Sequence, residues 1–159
     1  MKKKKFKAVK LDELSKTRVF ELEEQIEEII VDILNQYQQF FVQNGYILDI
    51  KLERINEVDA LKGIEEHGME KGQCFETNYY SFVCLAIKDS SGKLIGNEED
   101  GYLIENIHIW NVNKPFFSSK KGYIINLPPL EIKKEIETVI KDFARVLNIS
   151  ISGSNTINN

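Results

Sequence analysis

The chain has 159 residues, of which 42% are hydrophobic and 29% charged, and this fits one compact domain with its own core. Its net charge of −4 divides unevenly, because residues 1–10 contain six lysines and no acid while the other residues contain 15 basic and 25 acidic side chains. An acidic body excludes a generally basic nucleic-acid-binding domain, although a local basic site remains an option. The two cysteines, Cys74 and Cys84, form no CxxC pair, so neither a zinc ribbon nor a disulfide framework is indicated.

The hydropathy of the chain bears on where in the cell the protein lies. No run approaches the roughly 18 apolar residues that a membrane-spanning helix needs. The N-terminal lysines resemble the start of a signal peptide, but the polar stretch LDELSKTRVFELEE stands where an apolar region would have to follow. The sequence therefore predicts a cytoplasmic protein without a membrane span.

The first clear predicted element is a long helix from about Thr17 to Asn44. Its apolar residues recur at spacings of three and four, which is the period of one helix face. These residues are Leu22, Ile26, Ile29, Ile30, Ile33, Tyr37, Phe40 and Phe41. Five glutamates within Glu21–Glu28 suit the positive end of the helix dipole, and Asn44-Gly45 is a good helix stop.

The period then changes from 3.6 to 2 at Tyr46–Glu53, which predicts a strand with one buried face. Residues 59–73 contain three glycines and no strand pattern, so they are predicted to form a loop. Further strands are predicted at about Phe75–Lys88, Tyr102–Val112 and Tyr123–Leu127. The short turns between these strands favour an antiparallel meander of four to five strands.

A second amphipathic helix follows Pro128-Pro129, with its apolar stripe running from Ile132 to Leu147. The predicted fold is a single α+β domain over residues 1–148, with both helices packed on one sheet face. Residues 1–10 are predicted to be flexible or to add an edge strand guarded by lysines, and residues 149–159 to form a disordered tail.

The leading functional hypothesis is a non-catalytic protein that binds another macromolecule, most directly a second protein. An acidic body favours basic partners through steering and complementarity. The contact regions would be the Glu-rich helix face and the loop Lys114–Tyr123, which combines aromatic anchors with a polar rim. The candidate partner-binding residues are Glu21, Glu24, Glu28, Lys114, Phe116, Phe117, Lys120, Lys121 and Tyr123. A simpler interpretation packs the two phenylalanines under the sheet and leaves the lysines solvated.

The general type, a small acidic α+β domain without catalytic motifs, is shared by many bacterial immunity proteins, inhibitors and secretion chaperones. This likeness supports only a hypothesis at the level of class. A homodimer is another option, since a long helix and aromatic strands offer apolar surface that a second copy could bury.

Two other functions stay open. A nucleic-acid-binding accessory protein would grip phosphates with the N-terminal lysines and the Lys114–Tyr123 loop. The terminal candidates are Lys2, Lys3, Lys4, Lys5 and Lys7. A small-ligand-binding domain would instead have an aromatic pocket between helix and sheet, although the same aromatics could simply fill the core. The candidate pocket residues are Tyr37, Phe40, Tyr79 and Trp110.

Catalytic motifs are missing from the sequence. It contains no GxxxxGK[ST], GxGxxG or GxSxG pattern, so a non-enzyme is favoured over an enzyme without linear motifs. The segment Glu65–Glu70, which includes His67, lacks the paired histidines of a zinc protease and is interpreted as an exposed acidic loop. His108 is predicted to lie on a sheet face. No catalytic residue, metal ligand or cofactor is predicted.

Overall fold

The structure, a computed structural model, describes residues 6–113 and 121–151 apart from the side chain of Leu14. Ten helices and strands occur in this part of the chain. In chain order they are β1 (Phe6–Lys10), α1 (Glu13–Val42), β2 (Tyr46–Asn56), α2 (Glu57–Leu61), β3 (Tyr79–Asp89), β4 (Gly96–Asn97), β5 (Gly101–Tyr102), β6 (Ile104–Asn113), β7 (Lys121–Ile125) and α3 (Pro129–Val146). A single 3-10 turn at Lys71–Gln73 precedes β3.

Five of the strands form one antiparallel sheet in the order β1-β7-β6-β3-β2. Strands β2, β3, β6 and β7 form the meander that the short turns predict. Strands β4 and β5, which lie between β3 and β6 in the sequence, form a separate two-stranded sheet. Strand β1 joins this meander at the edge beside β7, where Lys10 lies opposite Lys121. The α+β class, the antiparallel sheet and the packing of helices on it are confirmed.

Helix α1 begins at Glu13, four residues before the predicted start, because the Asp12 carboxylate accepts a hydrogen bond from the Ser15 backbone N–H at 2.8 Å. It ends at Val42, before Gly45, whose φ of 83° suits a residue without a side chain. Gln38 ties the helix to the sheet, since its side-chain amide accepts from the Leu48 N–H at 2.9 Å and donates to the Leu48 carbonyl at 2.7 Å.

Both long helices contact each other and share one hydrophobic core with the sheet, so they lie on the same sheet face. Helix α1 contributes Ile26 and Ile33, and helix α3 contributes Ile136. Val83 and Leu85 of β3 face them from the sheet. Full burial of one such side chain contributes about 1.5–3 kcal/mol, so this core is the main source of stability.

Other boundaries also differ from the sequence prediction. Strand β3 begins at Tyr79 rather than Phe75, because Asn78 adopts a left-handed φ of 69° that interrupts an extended chain. The folded part also continues beyond residue 148, since Ile149 is buried and Ile151 packs against the core. Residues 152–159, the rest of the predicted tail, lie outside the described residues.

Within residues 6–113 and 121–151, no helix combines the length and the apolar character needed to cross a membrane.

Candidate functional site

One glutamate in the first half of α1 points into the core. Glu23 is fully buried, and its Oε1 accepts a hydrogen bond from the Tyr79 hydroxyl at 2.8 Å. Its Oε2 lies 3.0 Å from Nε of Arg54, which comes from β2. The same guanidinium reaches Oε1 of Glu27 at 3.0 Å. A buried carboxylate that is paired and hydrogen-bonded in this way avoids most of the cost of a lone buried charge.

This network shapes the ionisation of the groups around it. Burial raises the pKa of Tyr79, and the neighbouring Glu23 charge raises it further, so the hydroxyl keeps its proton and donates to the carboxylate. Burial and then the Glu23 charge raise the pKa of the Cys74 thiol to about 11. The Cys74 carbonyl accepts a hydrogen bond from the indole N–H of Trp110 at 2.7 Å. The Tyr79 hydroxyl and the Trp110 indole N–H thus have their hydrogen-bond partners inside the fold, and the Cys74 thiol is fully buried.

The segment after β2 folds back beside α1. The Asn56 N–H donates to the His67 carbonyl at 2.7 Å, and the Met69 N–H donates to the Arg54 carbonyl at 2.9 Å. Nζ of Lys71 then lies 2.7 Å from Oε1 of Glu24. Residues 67–71 are therefore held beside the end of β2 and the acidic half of the helix.

The two neighbouring segments together form what we call the acidic surface. Helix residues 21–32 contain six acids and no base, and residues 57–76 contain six acids and two lysines. The solvent-exposed acids of the acidic surface are Glu21, Glu24, Glu27, Glu28, Asp32, Glu65, Glu66, Glu70 and Glu76. Arg54 and Lys71 neutralise part of this charge, and the rest faces solvent.

Aliphatic side chains are exposed in the same segments. Leu61, the last residue of α2, is 82% exposed, and Ile64 and Val58 are also open to solvent. Val31 projects from α1 and lines a shallow groove of about 250 Å³ with Glu24 and Glu28. The acidic surface therefore has apolar points among its carboxylates, a combination typical of protein-contact surfaces.

The predicted helix-face candidates lie on this surface. Glu21, Glu24 and Glu28 are exposed, and of the three only Glu24 has an ion-pair partner among the described residues. The candidates Lys114, Phe116, Phe117 and Lys120 lie outside the described residues.

The basic candidates fall on the opposite edge of the sheet. Lys121 is exposed and Tyr123 half-buried on β7, and Lys7 is exposed on the neighbouring strand β1. Lys10 and Lys121 face each other across the two strands, so part of each lysine-rich segment does meet. Lys2, Lys3, Lys4 and Lys5 lie outside the described residues.

Three of the four predicted pocket aromatics are part of the packed core in the described part of the chain. Tyr37, Tyr79 and Trp110 are buried in the hydrophobic core, and Phe40 is half-buried against it. Gly122 makes room for the indole, since a Cβ at this position would collide with the six-membered ring of Trp110. These aromatics fill space between the helices and the sheet.

The two histidines have different surroundings. Nδ1 of His67 lies 2.7 Å from the Ile64 carbonyl oxygen in the acidic surface. His108 packs against Phe6 and Tyr80, with ring centroids 4.3 Å and 4.7 Å away, and burial lowers its pKa to about 4. Among residues 6–113 and 121–151, no cluster of three or more histidine, cysteine, aspartate or glutamate side chains could hold a metal ion.

Sequence reasoning missed the contribution of residues 57–76, which it treated as a loop. The sequence did contain a signal for the buried ion pair between Arg54 and Glu23. Arg54 continues the alternating pattern of Leu48, Ile50 and Leu52 and so falls on the buried face of β2. A base at such a position needs a buried acid, and the adjacent helix supplies it.

Comparison with protein-family models, with curated proteins and with solved structures found no match to this chain.

Proposed function

We propose that this chain is a non-catalytic protein that binds a basic surface of another protein through its acidic surface. The observation that carries the proposal is the ion pair between Lys71 and Glu24, which joins two acidic segments, helix residues 21–32 and residues 57–76. Both segments also expose aliphatic side chains.

Electrostatics supports a basic partner. Carboxylates of like charge that crowd one surface repel each other, and a partner carrying lysines or arginines relieves this repulsion on binding. The same field steers a basic partner toward the surface, and this effect weakens as salt rises. A second copy of this chain would bring like charges together here, so the acidic surface is not proposed as a homodimer contact.

The exposed aliphatic side chains supply the second part of the argument. Val31 lines a groove with Glu24 and Glu28, and Leu61 and Ile64 are exposed in the second acidic segment. Apolar anchors inside a polar rim are a feature of protein interfaces. The side chain of Leu61 is 82% exposed, so it contributes little hydrophobic free energy to folding. Burial against a partner would remove most of its apolar area from water. We expect Leu61 to be the most sensitive single contact.

This proposal places the chain with small acidic proteins that act by occupying another protein, such as immunity proteins, inhibitors and secretion chaperones. A cytoplasmic location belongs to the same proposal, and the unpaired thiols of Cys74 and Cys84 are compatible with a reducing compartment.

The test compares capture of proteins from a cell lysate by three forms of the chain. One form carries Glu28→Lys, Glu65→Lys and Glu66→Lys on the acidic surface. A matched control carries Glu98→Lys, Glu99→Lys and Glu105→Lys, which are exposed acids elsewhere and produce the same change in net charge. A basic protein captured by the wild type and the control, but not by the acidic-surface variant, supports the proposal.

The opposite outcomes are equally clear. Capture of the same proteins by all three forms would show that the acidic surface is not the contact. Loss of capture in both triple variants would show that only overall charge matters.

The register of β1 and β7 favours a second candidate function. Because Lys10 faces Lys121 and Lys7 lies on the same strand, this edge could contact the phosphates of a nucleic acid. A titration of labelled single-stranded DNA at about 50 mM salt tests it. The candidate fails if no binding is seen, or if Lys7→Gln with Lys121→Gln leaves the affinity unchanged.

A further inference from the structure

A cleft of about 390 Å³ opens between the start of α1, the edge strand β1 and the neighbouring strand β7. Its apolar wall includes Val19 and Leu22 of the helix and Ile124 of β7. The indole of Trp110 lies directly behind this wall with no exposed surface. The volume falls within the range of about 300–1,000 Å³ that is typical of small-ligand pockets.

Two cationic side chains border this cleft. Lys7 comes from β1 and Arg18 from the second turn of α1. Neither makes an ion pair with any residue that the structure describes. Glu21 and Gln25 also border the cleft, so its charged side chains carry a net positive charge. The cleft therefore joins an apolar wall to two cations that have no ion-pair partner among the described residues.

We propose that this cleft binds a small amphipathic carboxylate, with its apolar body against the wall and its carboxylate between Arg18 and Lys7. A guanidinium can hold a carboxylate through two parallel hydrogen bonds, which a neutral head group cannot reproduce. A bare inorganic anion would leave the apolar wall in contact with water, and a cationic ligand would be repelled. The chemistry of both parts of the cleft thus selects a ligand with a carboxylate and a short apolar chain.

The site meets the acidic surface at Glu21, Leu22 and Gln25 of α1. The acidic-surface variant changes none of these three residues. Of the aromatics predicted to line a pocket, Trp110 borders the cleft, whereas Tyr37, Phe40 and Tyr79 do not. Ligand binding and partner binding can therefore fail independently.

The test is calorimetric titration of the full chain with octanoate, octanol and octylamine at low millimolar concentrations. Octanoate is expected to bind at least about tenfold more tightly than octanol, and octylamine not to bind. Trp110 is the one tryptophan of the chain, so its fluorescence reports whether the ligand occupies this cleft. Octanoate should shift the Trp110 emission in step with the heat of binding.

Variants locate the two parts of the site. Arg18→Gln should weaken octanoate binding to the level of octanol without changing octanol binding, and Arg145→Gln, an exposed arginine of α3, is the matched control. Leu22→Phe, which fills the cleft, should abolish binding of both ligands. Because Arg18 is exposed, its variant remains informative even if Leu22→Phe fails to fold.

Four results would overturn the proposal. The first is the absence of octanoate binding, and the second is equal affinity for octanoate and octanol. The third is an affinity for octanoate that Arg18→Gln leaves unchanged, and the fourth is octanoate binding without any change in Trp110 emission.

Discussion

Neighbouring glutamates of helix α1 have opposite surroundings. Glu23 is buried, and its carboxylate contacts Tyr79 and Arg54 at 2.8 Å and 3.0 Å. Glu21 and Glu28 are exposed and make no ion pair with the described residues. The position on the helix, rather than the residue type, separates a carboxylate that holds the fold together from carboxylates available to a partner.

The two cysteines likewise differ in burial, and the two histidines differ in their surroundings. Cys74 is fully buried, whereas Cys84 is half-buried on the sheet. His108 is half-buried against Phe6 and Tyr80, whereas His67 lies in the segment that follows β2. Loss of a buried group should change stability, and loss of an exposed one should change binding alone. The predictions below test this division, from the largest expected effect to the smallest.

The largest effect is expected for Arg54→Ala. Removal of the guanidinium leaves the Glu23 carboxylate buried without its cation, which should lower the free energy of unfolding by about 3–5 kcal/mol. Urea denaturation measures this change. The control is Arg145→Ala, whose exposed ion pair with Asp142 should contribute less than about 1 kcal/mol. Equal effects of the two variants would remove the distinction between buried and exposed charges.

The second effect concerns the thiol of Cys74. Burial and the Glu23 charge raise its pKa from 9.0 to about 11, which lowers the thiolate fraction near pH 8 about a hundredfold. Cys74 is also fully buried, so we expect it to react with a thiol reagent only when the chain unfolds. Reaction rates of Cys74→Ser and Cys84→Ser variants, native and in urea, give the comparison. Rapid native reaction of Cys74 would contradict the packing of this region.

The third effect is a dependence of stability on pH. Burial lowers the pKa of His108 from 6.5 to about 4, so between these pH values the unfolded chain binds a proton that the folded chain does not. Stability should therefore fall as pH falls from 6.5 to 4, by about 1–2 kcal/mol after allowance for the partial exposure of the ring. His108→Phe should flatten this part of the profile of unfolding free energy against pH, and His67→Gln is the control. A profile that His108→Phe leaves unchanged would refute the assignment.

The smallest effect on stability is expected at the exposed aliphatic residues. Leu61→Ser should change the free energy of unfolding by less than about 0.5 kcal/mol, because the side chain is 82% exposed. The variant should nevertheless weaken binding of the captured partner. Leu130→Ser, on the first turn of α3 with 63% exposure, should alter neither property. A large loss of stability in Leu61→Ser would assign the side chain to the fold instead.

Local patterns predicted most of the fold. The apolar period of 3.6 in α1 and α3 and the alternation in β2 are set by neighbouring residues, so the sequence alone reveals them. Helix ends were less accurate, because Asp12, Ser15 and Thr17 are all suitable caps and only the structure shows that Asp12 is used. The position of β1 beside β7 depends on pairing across most of the chain, and sequence left it as one of two options.

The candidate site was predicted in part. The glutamates of α1 were visible as a cluster in sequence, but the contribution of residues 57–76 was not. The contact between Lys71 and Glu24 joins residues 47 positions apart, and no local pattern specifies such a contact. The cleft near Trp110 depends in the same way on how α1 packs beside β1 and β7.

The most direct test of the central claim is the affinity of the captured partner for the wild type and for the Glu28→Lys, Glu65→Lys, Glu66→Lys variant. The variant is expected to bind at least about 100-fold more weakly while its free energy of unfolding stays within about 1 kcal/mol of the wild-type value. The Glu98→Lys, Glu99→Lys, Glu105→Lys control should keep most of the affinity. An affinity that is the same for the wild type and the acidic-surface variant would contradict the account.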